Sequence, residues 1–419
     1  MAREFLDVGL FLILVGLLYT VIPDLFLHRL GIGSWKRQFG PGVCLTFDDG
    51  PDPIYTPQVL KTLNKYNASG VFFLVGEQAE RYPELVEQML RAGHKIGAHG
   101  VSHRYAWFMS PWGTWRTWDK CIATLERISG QPVEWVRPPW GTFNLATWAW
   151  CIVRGKRAVL WGAEGHDWQV ARSPLQITTR ILNRIREGTI VVLHDRGGEP
   201  GAPENSLIAL DLLCQKIIYD KKLPLVPLEF PQWSKGRIFI FKLWEVWERI
   251  FAYFNPTQRI SSQNLFKLCK IKYSGPILYG EGGQILAQTG DTVAEIHLDS
   301  IRLSGDDGDT QSILFRALKQ FKTSMPELAQ FVVENQEFQE VKVFLGFTFM
   351  NRGVKLLGFQ VQELPRSSFN RWIGLIQKGV LRVYHPQGNK RGTNRLGEMP
   401  KVVFISRESL LDKWLQGVS

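Results

Sequence analysis

Short apolar runs alternate with amphipathic segments between residues 42 and 230. The runs predict strands over Val43–Phe47, Gly70–Val75, Lys95–Ala98, Ala158–Trp161, Thr189–Leu193 and Leu223–Pro227. The segments between them carry apolar residues at helical spacing and predict helices over Thr56–Tyr66, Pro83–Ala92, Trp115–Ser129, Ile177–Glu187 and Asn205–Asp220. Strands that alternate with helices indicate an α/β domain with a mostly parallel sheet, open or closed into a barrel. In such folds the chemistry is found at the C-terminal ends of the strands.

A longer apolar run stands at the N-terminus. It extends from Phe5 to Leu27, and Val8–Pro23 carries no charge. A membrane-spanning helix needs about 20 apolar residues, so we expect residues 1–30 to form a membrane anchor, with a buried hydrophobic helix as the alternative. The run lacks a basic start and a small-residue cleavage site, which favours an uncleaved anchor over a signal peptide. The basic residues that follow it favour a cytoplasmic main body by the positive-inside rule.

The region after residue 230 predicts a connector and a second domain. Residues 233–264 form an aromatic-rich connector, and residues 265–419 form a smaller α/β domain. Its predicted strands are Ala294–Leu298, Val341–Phe349 and Lys355–Glu363, and its predicted helices are Gln311–Lys322 and Met325–Asn335.

Two polar features of the second domain have alternative readings. Glu295, His297 and Asp299 alternate along one strand face and offer metal ligands, but such a row is also typical of a solvated sheet face. The stretch Arg366–Arg395 contains seven Lys or Arg and no Asp or Glu. It predicts contact with an anionic polymer or lipid headgroups, or else a solvated basic face.

Composition and net charge limit the class of binding partner but do not identify one. The 419 residues leave room for two domains and an anchor, and the formal net charge of +11 favours anionic partners. We expect no nucleic acid among them. Five scattered cysteines give neither a disulfide framework nor zinc-finger spacing.

Candidate chemistry begins at the first strand, which ends in Asp48 and Asp49 before a Gly-Pro turn. Adjacent carboxylates repel each other, so one of them protonates or binds a cation. A divalent metal would take one carboxylate as a ligand and leave the other free as a base. The alternative is a turn that caps the next helix, since Asp and Gly are common turn residues.

The segment His99–His103 places two imidazoles four residues apart. On one helical turn they would share a face and chelate one ion. Asp49 would complete a set of two histidines and one carboxylate, which leaves positions open for water and substrate. Ordinary surface histidines are the alternative reading of this spacing.

Three further segments add candidate groups. Arg137-Pro-Pro-Trp140-Gly is a stiff turn that carries a guanidinium. Residues 164–168 read Glu-Gly-His-Asp-Trp, and His194 follows the apolar strand Thr189–Leu193. Each segment is unremarkable alone.

In this order and spacing the five segments resemble the motifs of the polysaccharide deacetylases, the NodB-homology carbohydrate esterases. The resemblance covers about residues 40–230 and implies a distorted (β/α) barrel within residues 31–232. It implies the following roles: general base Asp48; metal ligands Asp49, His99 and His103; base-orienting Arg137; groove-lining Trp140, whose backbone N–H meets the oxyanion, and Trp168; acid-tuning Asp167; general acid His194. The C-terminal region weakly resembles an uncharacterised domain that follows such deacetylases in Gram-positive bacteria.

The resemblance implies metal-dependent removal of N-acetyl groups from a glycan, peptidoglycan or a chitin-like polymer. Zn²⁺ is the expected ion, and Co²⁺, Ni²⁺ or Fe²⁺ also suit the ligands. Trp140, Glu164 and Gly100 depart from the usual Tyr, Asp and Ser or Thr, which puts substrate fit in question. The alternatives are another amide hydrolase, acting for example on a lipid-linked amino sugar, and a glycan-binding module without turnover. Action on cell wall implies the extracytoplasmic face of a bacterial membrane, opposite to the orientation that the flanking charges favour.

Overall fold

The structure is a computed structural model that describes residues 2–40, 42–230, 236–238, 240–241, 243–244, 256–261, 264–298, 310–348, 353–364, 374 and 401–415. The chain divides into two compact units, Met1–Gln232 and Trp233–Ser419. The basic stretch 366–395 lies almost wholly outside the described residues, as do Asp299 and most of the connector 233–264.

The first unit is built on a parallel sheet. Its strands are β1 (Ser34–Trp35), β2 (Cys44–Asp48), β3 (Gly70–Leu74), β4 (Lys95–Ala98), β5 (Trp135–Val136), β6 (Arg157–Val159), β7 (Ala163–Glu164) and β8 (Ile190–His194). Their order in the sheet is β1-β6-β5-β4-β3-β2-β8-β7, and the adjacent pairs are parallel. The central strands β2 and β3 are buried throughout, as their apolar sequences predict.

The sheet curls into a distorted barrel. β6 lies next to one edge strand and β7 is the other edge strand, yet only residues 160–162 separate them along the chain. Three residues span roughly 10–14 Å at most, so the two edges must approach each other. This confirms the predicted α/β architecture and the (β/α) barrel.

Helices cover the sheet and bury its apolar face. They are α3 (Thr56–Lys65), α4 (Gly76–Arg81), α5 (Pro83–Arg91), α6 (Pro111–Ser129), α7 (Leu145–Arg154), α8 (Pro174–Leu182) and α9 (Ala202–Gln215). Helix α8 begins with a capping box in which the Ser173 side chain accepts from the Gln176 amide and Gln176 bonds back to the Ser173 amide.

The sequence predicted one strand that does not form and missed several elements, which include the short helix α4 and the strands β1, β5 and β7. The predicted strand Leu223–Pro227 is reduced to one bridge between Val43 and Leu225, because Pro224 and Pro227 have no N–H to donate to a ladder. Helix α7, although amphipathic, had not been predicted.

The N-terminal run forms one helical rod. It comprises α1 (Ala2–Gly16), a π-helical turn (Leu17–Val21), α2 (Ile22–Asp24) and a second π-helical stretch (Leu25–Leu30). By length and apolarity it is the helix among the described residues that could cross a bilayer. Residues 5–18 are unburied, whereas Leu27 is fully buried in the core of the first unit.

The second unit is a six-stranded mixed sheet with two described α-helices. Its strands, in sheet order, are β15 (Gln360–Glu363), β16 (Lys401–Ser406), β14 (Val343–Thr348), β13 (Thr292–Leu298), β10 (Phe266–Lys272) and β9 (Gln258–Arg259). A separate hairpin pairs β11 (Leu278–Tyr279) with β12 (Ile285–Ala287). The helices are α10 (Thr310–Glu334) and α11 (Arg407–Trp414).

Two predictions for the second unit need correction. The two predicted helices are one helix, α10, which continues through Pro326. Proline removes a backbone donor. Two residues before Pro326, the carbonyl of Ser324 accepts a hydrogen bond of 2.9 Å from the side-chain Nδ2 of Asn264. The predicted strand Lys355–Glu363 begins instead as a 3₁₀ turn, Val354–Leu357, and only Gln360–Glu363 pairs as a strand.

Candidate metal centre and active site

Three predicted ligands converge at the C-terminal edge of the first sheet. Asp49, His99 and His103 present ligand atoms that all lie within 4.8 Å of one another. Asp49 directly follows β2 and His99 directly follows β4. Our prediction that the two histidines share a helical turn is wrong, because residues 99–105 are not helical. His103 lies in an irregular loop with a positive φ of 47°, and Asp49 has a φ of 76°.

The geometry of this cluster fits a cation. Oδ1 of Asp49 lies 3.2 Å from Nε2 of His99 and 2.9 Å from Nε2 of His103. That oxygen is buried and makes no properly directed hydrogen bond. Two nitrogens and one carboxylate oxygen form a donor set that suits Zn²⁺, Co²⁺, Ni²⁺ or Fe²⁺. Glu295 and His297 of β13 lie 3.5 Å apart but belong to no such cluster among the described residues.

The backbone fixes the tautomer of His99. Its Nδ1 lies 2.7 Å from the carbonyl oxygen of Arg137. A carbonyl can only accept, so Nδ1 carries the proton and Nε2 presents a lone pair toward Asp49 and His103. Such a hydrogen bond orients a ligating histidine and raises its basicity.

Asp48 ends β2 beside the cluster and is buried. Its Oδ1 accepts from Nη1 of Arg137 at 2.7 Å, and its Oδ2 lies 4.0 Å from Nε2 of His99. The hydrogen bond from Arg137 orients this carboxylate, and its second oxygen faces the ligand cluster. Asp48 is therefore placed to act as a base.

Arg137 is fully buried, and each of its three guanidinium nitrogens donates a hydrogen bond. Besides Asp48, Nη1 donates to Oγ1 of Thr46 at 2.7 Å. Its Nε and Nη2 donate to the carbonyls of Val159 and Leu160 at 3.0 and 3.3 Å. Burial lowers the pKa of this guanidinium from its ordinary value, and Asp48 acts against that shift.

Two aromatic rings lie near the same guanidinium. Its carbon lies 4.0 Å from the ring centroid of Phe73 and 5.6 Å from that of Trp161. Glu164, which stands where the resembled family usually has Asp, accepts from Nε1 of Trp161 at 2.9 Å. Glu164 therefore holds a ring that faces Arg137.

His194 lies on the other side of Asp48. The two residues are register partners on neighbouring strands β2 and β8. Nδ1 of His194 lies 2.9 Å from Oδ1 of Asp167, whose Oδ2 accepts from the His194 amide at 2.8 Å. Burial acts to lower the pKa of His194, but Asp167 raises it to about 10. His194 is thus a protonated imidazolium at neutral pH and is placed to act as an acid.

Aromatic side chains line the rim of the cluster. Trp140 is 52% exposed, and its ring centroid lies 4.3 Å from that of His103 and 5.3 Å from that of Tyr105. The ring of Trp168 meets the ring of His194 edge-on at 5.5 Å. Trp140 therefore lies beside His103, and Trp168 lies beside His194.

Sequence reasoning missed three supporting residues. Thr46 shares a strand face with Asp48, so the two-residue period could have identified it. Ser206 of α9 donates to Oδ2 of Asp167 at 2.7 Å, for which the sequence carries no signal. Asp195 is buried beside the cluster, and burial, together with Asp49, raises its pKa to about 7.

Two family models match the chain. The first is described as polysaccharide deacetylase and matches residues 37–152; the second is described as a YkoP domain and matches residues 237–414.

Named relatives match the first unit. A peptidoglycan-N-acetylglucosamine deacetylase of Bacillus cereus is 36% identical over 160 residues, which are 38% of this chain and 74% of that protein. A peptidoglycan-N-acetylmuramic acid deacetylase of Bacillus subtilis is 32% identical over 156 residues, 36% of this chain and 32% of that protein. A crystal structure of a peptidoglycan N-acetylglucosamine deacetylase covers 46% of this chain and 91% of its own, with 28% identity and a TM-score of 0.44.

Proposed function

Because this chain belongs to the polysaccharide deacetylase family, a family of N-deacetylating hydrolases, we propose that it removes acetyl groups from N-acetylated sugars of peptidoglycan in a metal-dependent reaction. The observation that carries this proposal is the placement of Asp48 and His194 on adjacent strands beside one ligand cluster. A buried base next to a metal site and a protonated acid next to that base are what amide hydrolysis needs. A binding module would need neither.

Asp49, His99 and His103 would hold the ion. A divalent ion supplies Lewis acidity, which polarises an amide carbonyl and lowers the pKa of water. Asp48 takes the proton of the attacking water, and the hydrogen bond from Arg137 orients this carboxylate. The N–H of Trp140, which the resemblance assigns to the oxyanion, would donate where negative charge develops.

His194 completes the reaction by protonating the leaving amine. Asp167 holds its Nδ1, so the proton available for transfer is on Nε2. The amide C–N bond breaks, water supplies the oxygen of the released acetate, and the nitrogen leaves on the sugar as a free amine. His194 regains a proton from Asp48 or solvent, and one turnover releases one net proton as acetate and the free amine form.

The relatives and the N-terminal helix support the proposed substrate and location. The named relatives act on peptidoglycan, at its N-acetylglucosamine or N-acetylmuramic acid residues. A wall substrate places the first unit on the outer face of the membrane, anchored by the helical rod. The basic residues after the rod favour the inward orientation, so a topology experiment is part of the test.

The C-terminal region has no catalytic role in this proposal. Its match to the YkoP domain model confirms its resemblance to a domain that accompanies such deacetylases. Contact of the basic stretch 366–395 with an anionic polymer stays a prediction.

Acetate release by the full-length protein tests the proposal. We would supply peptidoglycan and N-acetylglucosamine oligomers, before and after chelator treatment and zinc addition, with Asp48→Asn beside wild type. We expect the wild-type protein to release acetate, the chelator to abolish this release and zinc to restore it. We expect Asp48→Asn to release none. A chelated, metal-free protein that still releases acetate at the full rate contradicts it. Release from neither glycan points to another amide or to a binding role.

A further inference from the structure

The N-terminal helix docks on the catalytic edge of the barrel. Tyr19 donates its hydroxyl to the carbonyl of Met109 at 2.8 Å. Asp24 accepts from the amide of Phe143 at 2.9 Å, and the ring of His28 lies 5.9 Å from that of Trp161. These partners lie in the loops that follow β4, β5 and β6. They therefore belong to the C-terminal strand edge, where the metal ligands also lie.

The free part of this helix is too short to hold the barrel away from a membrane. Residues 5–18 are the unburied part, and 14 residues of helix rise only about 21 Å. The hydrocarbon core is about 30 Å thick and needs about 20 residues. Counted from Phe5, 20 residues end at Asp24, which lies beyond the docked turn Leu17–Val21. The loop that packs on that turn must therefore lie at the membrane surface.

That loop has the composition of a membrane interface. Residues 105–115 carry no charge and include five aromatic side chains: Tyr105, Trp107, Phe108, Trp112 and Trp115. Phe108 is 88% exposed and Trp112 is 79% exposed, a large cost in water for both side chains. Aromatic residues are enriched where a protein meets the headgroup layer.

The loop also leads directly to the metal cluster. The ring of Phe108 lies 5.6 Å from that of Tyr105, which lies 5.3 Å from that of Trp140. Trp140 in turn contacts the ligand His103. Three successive ring contacts thus join the exposed end of the loop to the proposed catalytic centre.

We propose that the loop 105–112 rests in the headgroup layer of the membrane that holds the helix, and that the mouth of the metal site opens at that surface. The substrate would then be an N-acetylated saccharide attached to a membrane lipid, in preference to a glycan free in solution. This inference rests on the proposed deacetylase function for its substrate part and on the helix alone for its membrane part.

A depth measurement tests the membrane part without any activity. Phe108→Cys would be labelled with an environment-sensitive fluorophore in the full-length protein, in nanodiscs of phosphatidylethanolamine and phosphatidylglycerol. The native cysteines are all buried, which makes labelling selective. The matched control is Tyr219→Cys. The Tyr219 side chain is 66% exposed, and it lies on the turn that leads to the N-terminal ends of the strands, away from the metal ligands.

Brominated acyl chains should quench the label at position 108 severalfold more than the label at position 219. Equal quenching at both positions overturns the membrane contact. This result stands whether or not the protein releases acetate, so it separates failure of the membrane contact from failure of the proposed function.

Activity tests the substrate part. The double variant Phe108→Ser/Trp112→Ser would be compared with wild type and with Tyr219→Ser. The substrates are an N-acetylglucosamine disaccharide on a prenyl diphosphate in the same nanodisc and a soluble N-acetylglucosamine oligomer. We expect kcat/KM of the double variant to fall tenfold or more on the lipid-linked sugar and to stay within twofold on the soluble one. Equal losses on both substrates would show a sugar-binding platform and overturn the inference, as would no loss on either.

Discussion

The backbone carbonyl of Arg137 accepts a hydrogen bond of 2.7 Å from Nδ1 of His99, while the side chain of the same arginine donates to Asp48. One residue thus sets the tautomer of a proposed metal ligand and the orientation of the proposed base. The Pro-Pro sequence after Arg137 stiffens the backbone that carries both contacts. Displacing this turn should disturb metal binding and proton transfer together.

Replacing the proposed base should separate catalysis from metal binding. Asp48→Asn should lower kcat by about 10²–10⁴, the usual contribution of a general base. The zinc content should stay at the wild-type level, because Asp49, His99 and His103 remain. Metal analysis and acetate release on the same sample check this. Glu87→Gln, an exposed carboxylate on α5, is the control, and full activity of Asp48→Asn would refute the assigned role.

Replacing a ligand should remove both properties. His99→Ala takes away one of three donors and also leaves the Arg137 carbonyl without its imidazole partner, so metal content and activity should fall together. His94→Ala offers a control histidine, since His94 is buried outside the cluster and bonds the Gly70 amide at 3.1 Å. Wild-type zinc content in His99→Ala would show that the cluster is not the metal site.

The pH dependence should report the contact between His194 and Asp167. The pKa of His194 is raised to about 10 from its ordinary 6.5. A general acid with this pKa stays protonated, and active, until the pH approaches 10. The stabilisation of the fold by the His194–Asp167 pair is complete below about pH 6.5 and is lost as the pH rises through 10. In Asp167→Asn the alkaline limb of kcat/KM should move toward 6.5. An unchanged limb would exclude His194 as the acid.

Arg137→Lys should fail although it keeps the positive charge. The guanidinium donates to Thr46, Asp48 and two carbonyls in fixed directions, which a single ammonium cannot reproduce. Leaving buried groups unpaired costs about 1–3 kcal/mol each. We expect a lower melting temperature and a loss of kcat of about 10² or more by misorientation of the base. Arg91, which forms an exposed ion pair with Glu87, supplies the control Arg91→Lys. A wild-type kcat in Arg137→Lys would contradict the positioning role of Arg137.

The docked helix gives a further stability prediction. Asp24→Ala removes the acceptor of the Phe143 amide and should lower the free energy of unfolding by about 1–3 kcal/mol. Thermal unfolding of the full-length protein measures this. Asp7→Ala, on the part of the helix that the barrel does not touch, should leave stability unchanged. Equal effects of both substitutions would mean that Asp24 is not docked in solution.

The sequence by itself determined the parallel α/β plan and the candidate residues. Fully apolar strands such as β2 and β3 can only be buried, and Asp48, His99 and His194 follow strands whose ends share one edge of the sheet. The apolar run Leu223–Pro227 predicted a strand that does not form, because its two prolines have no N–H to donate to a neighbouring strand. The sequence prediction also failed at Pro326, which lies inside one continuous helix.

Only the tertiary structure decided how the groups work together. The hydrogen bond from His99 to Arg137, the pairing of His194 with Asp167 and Ser206, and the docking of Asp24 on Phe143 each join residues far apart in the chain. No local pattern encodes such contacts, because they depend on register, loop path and burial. The same holds for the position of the aromatic loop beside the helix: residues 19 and 109 meet only after the barrel has formed.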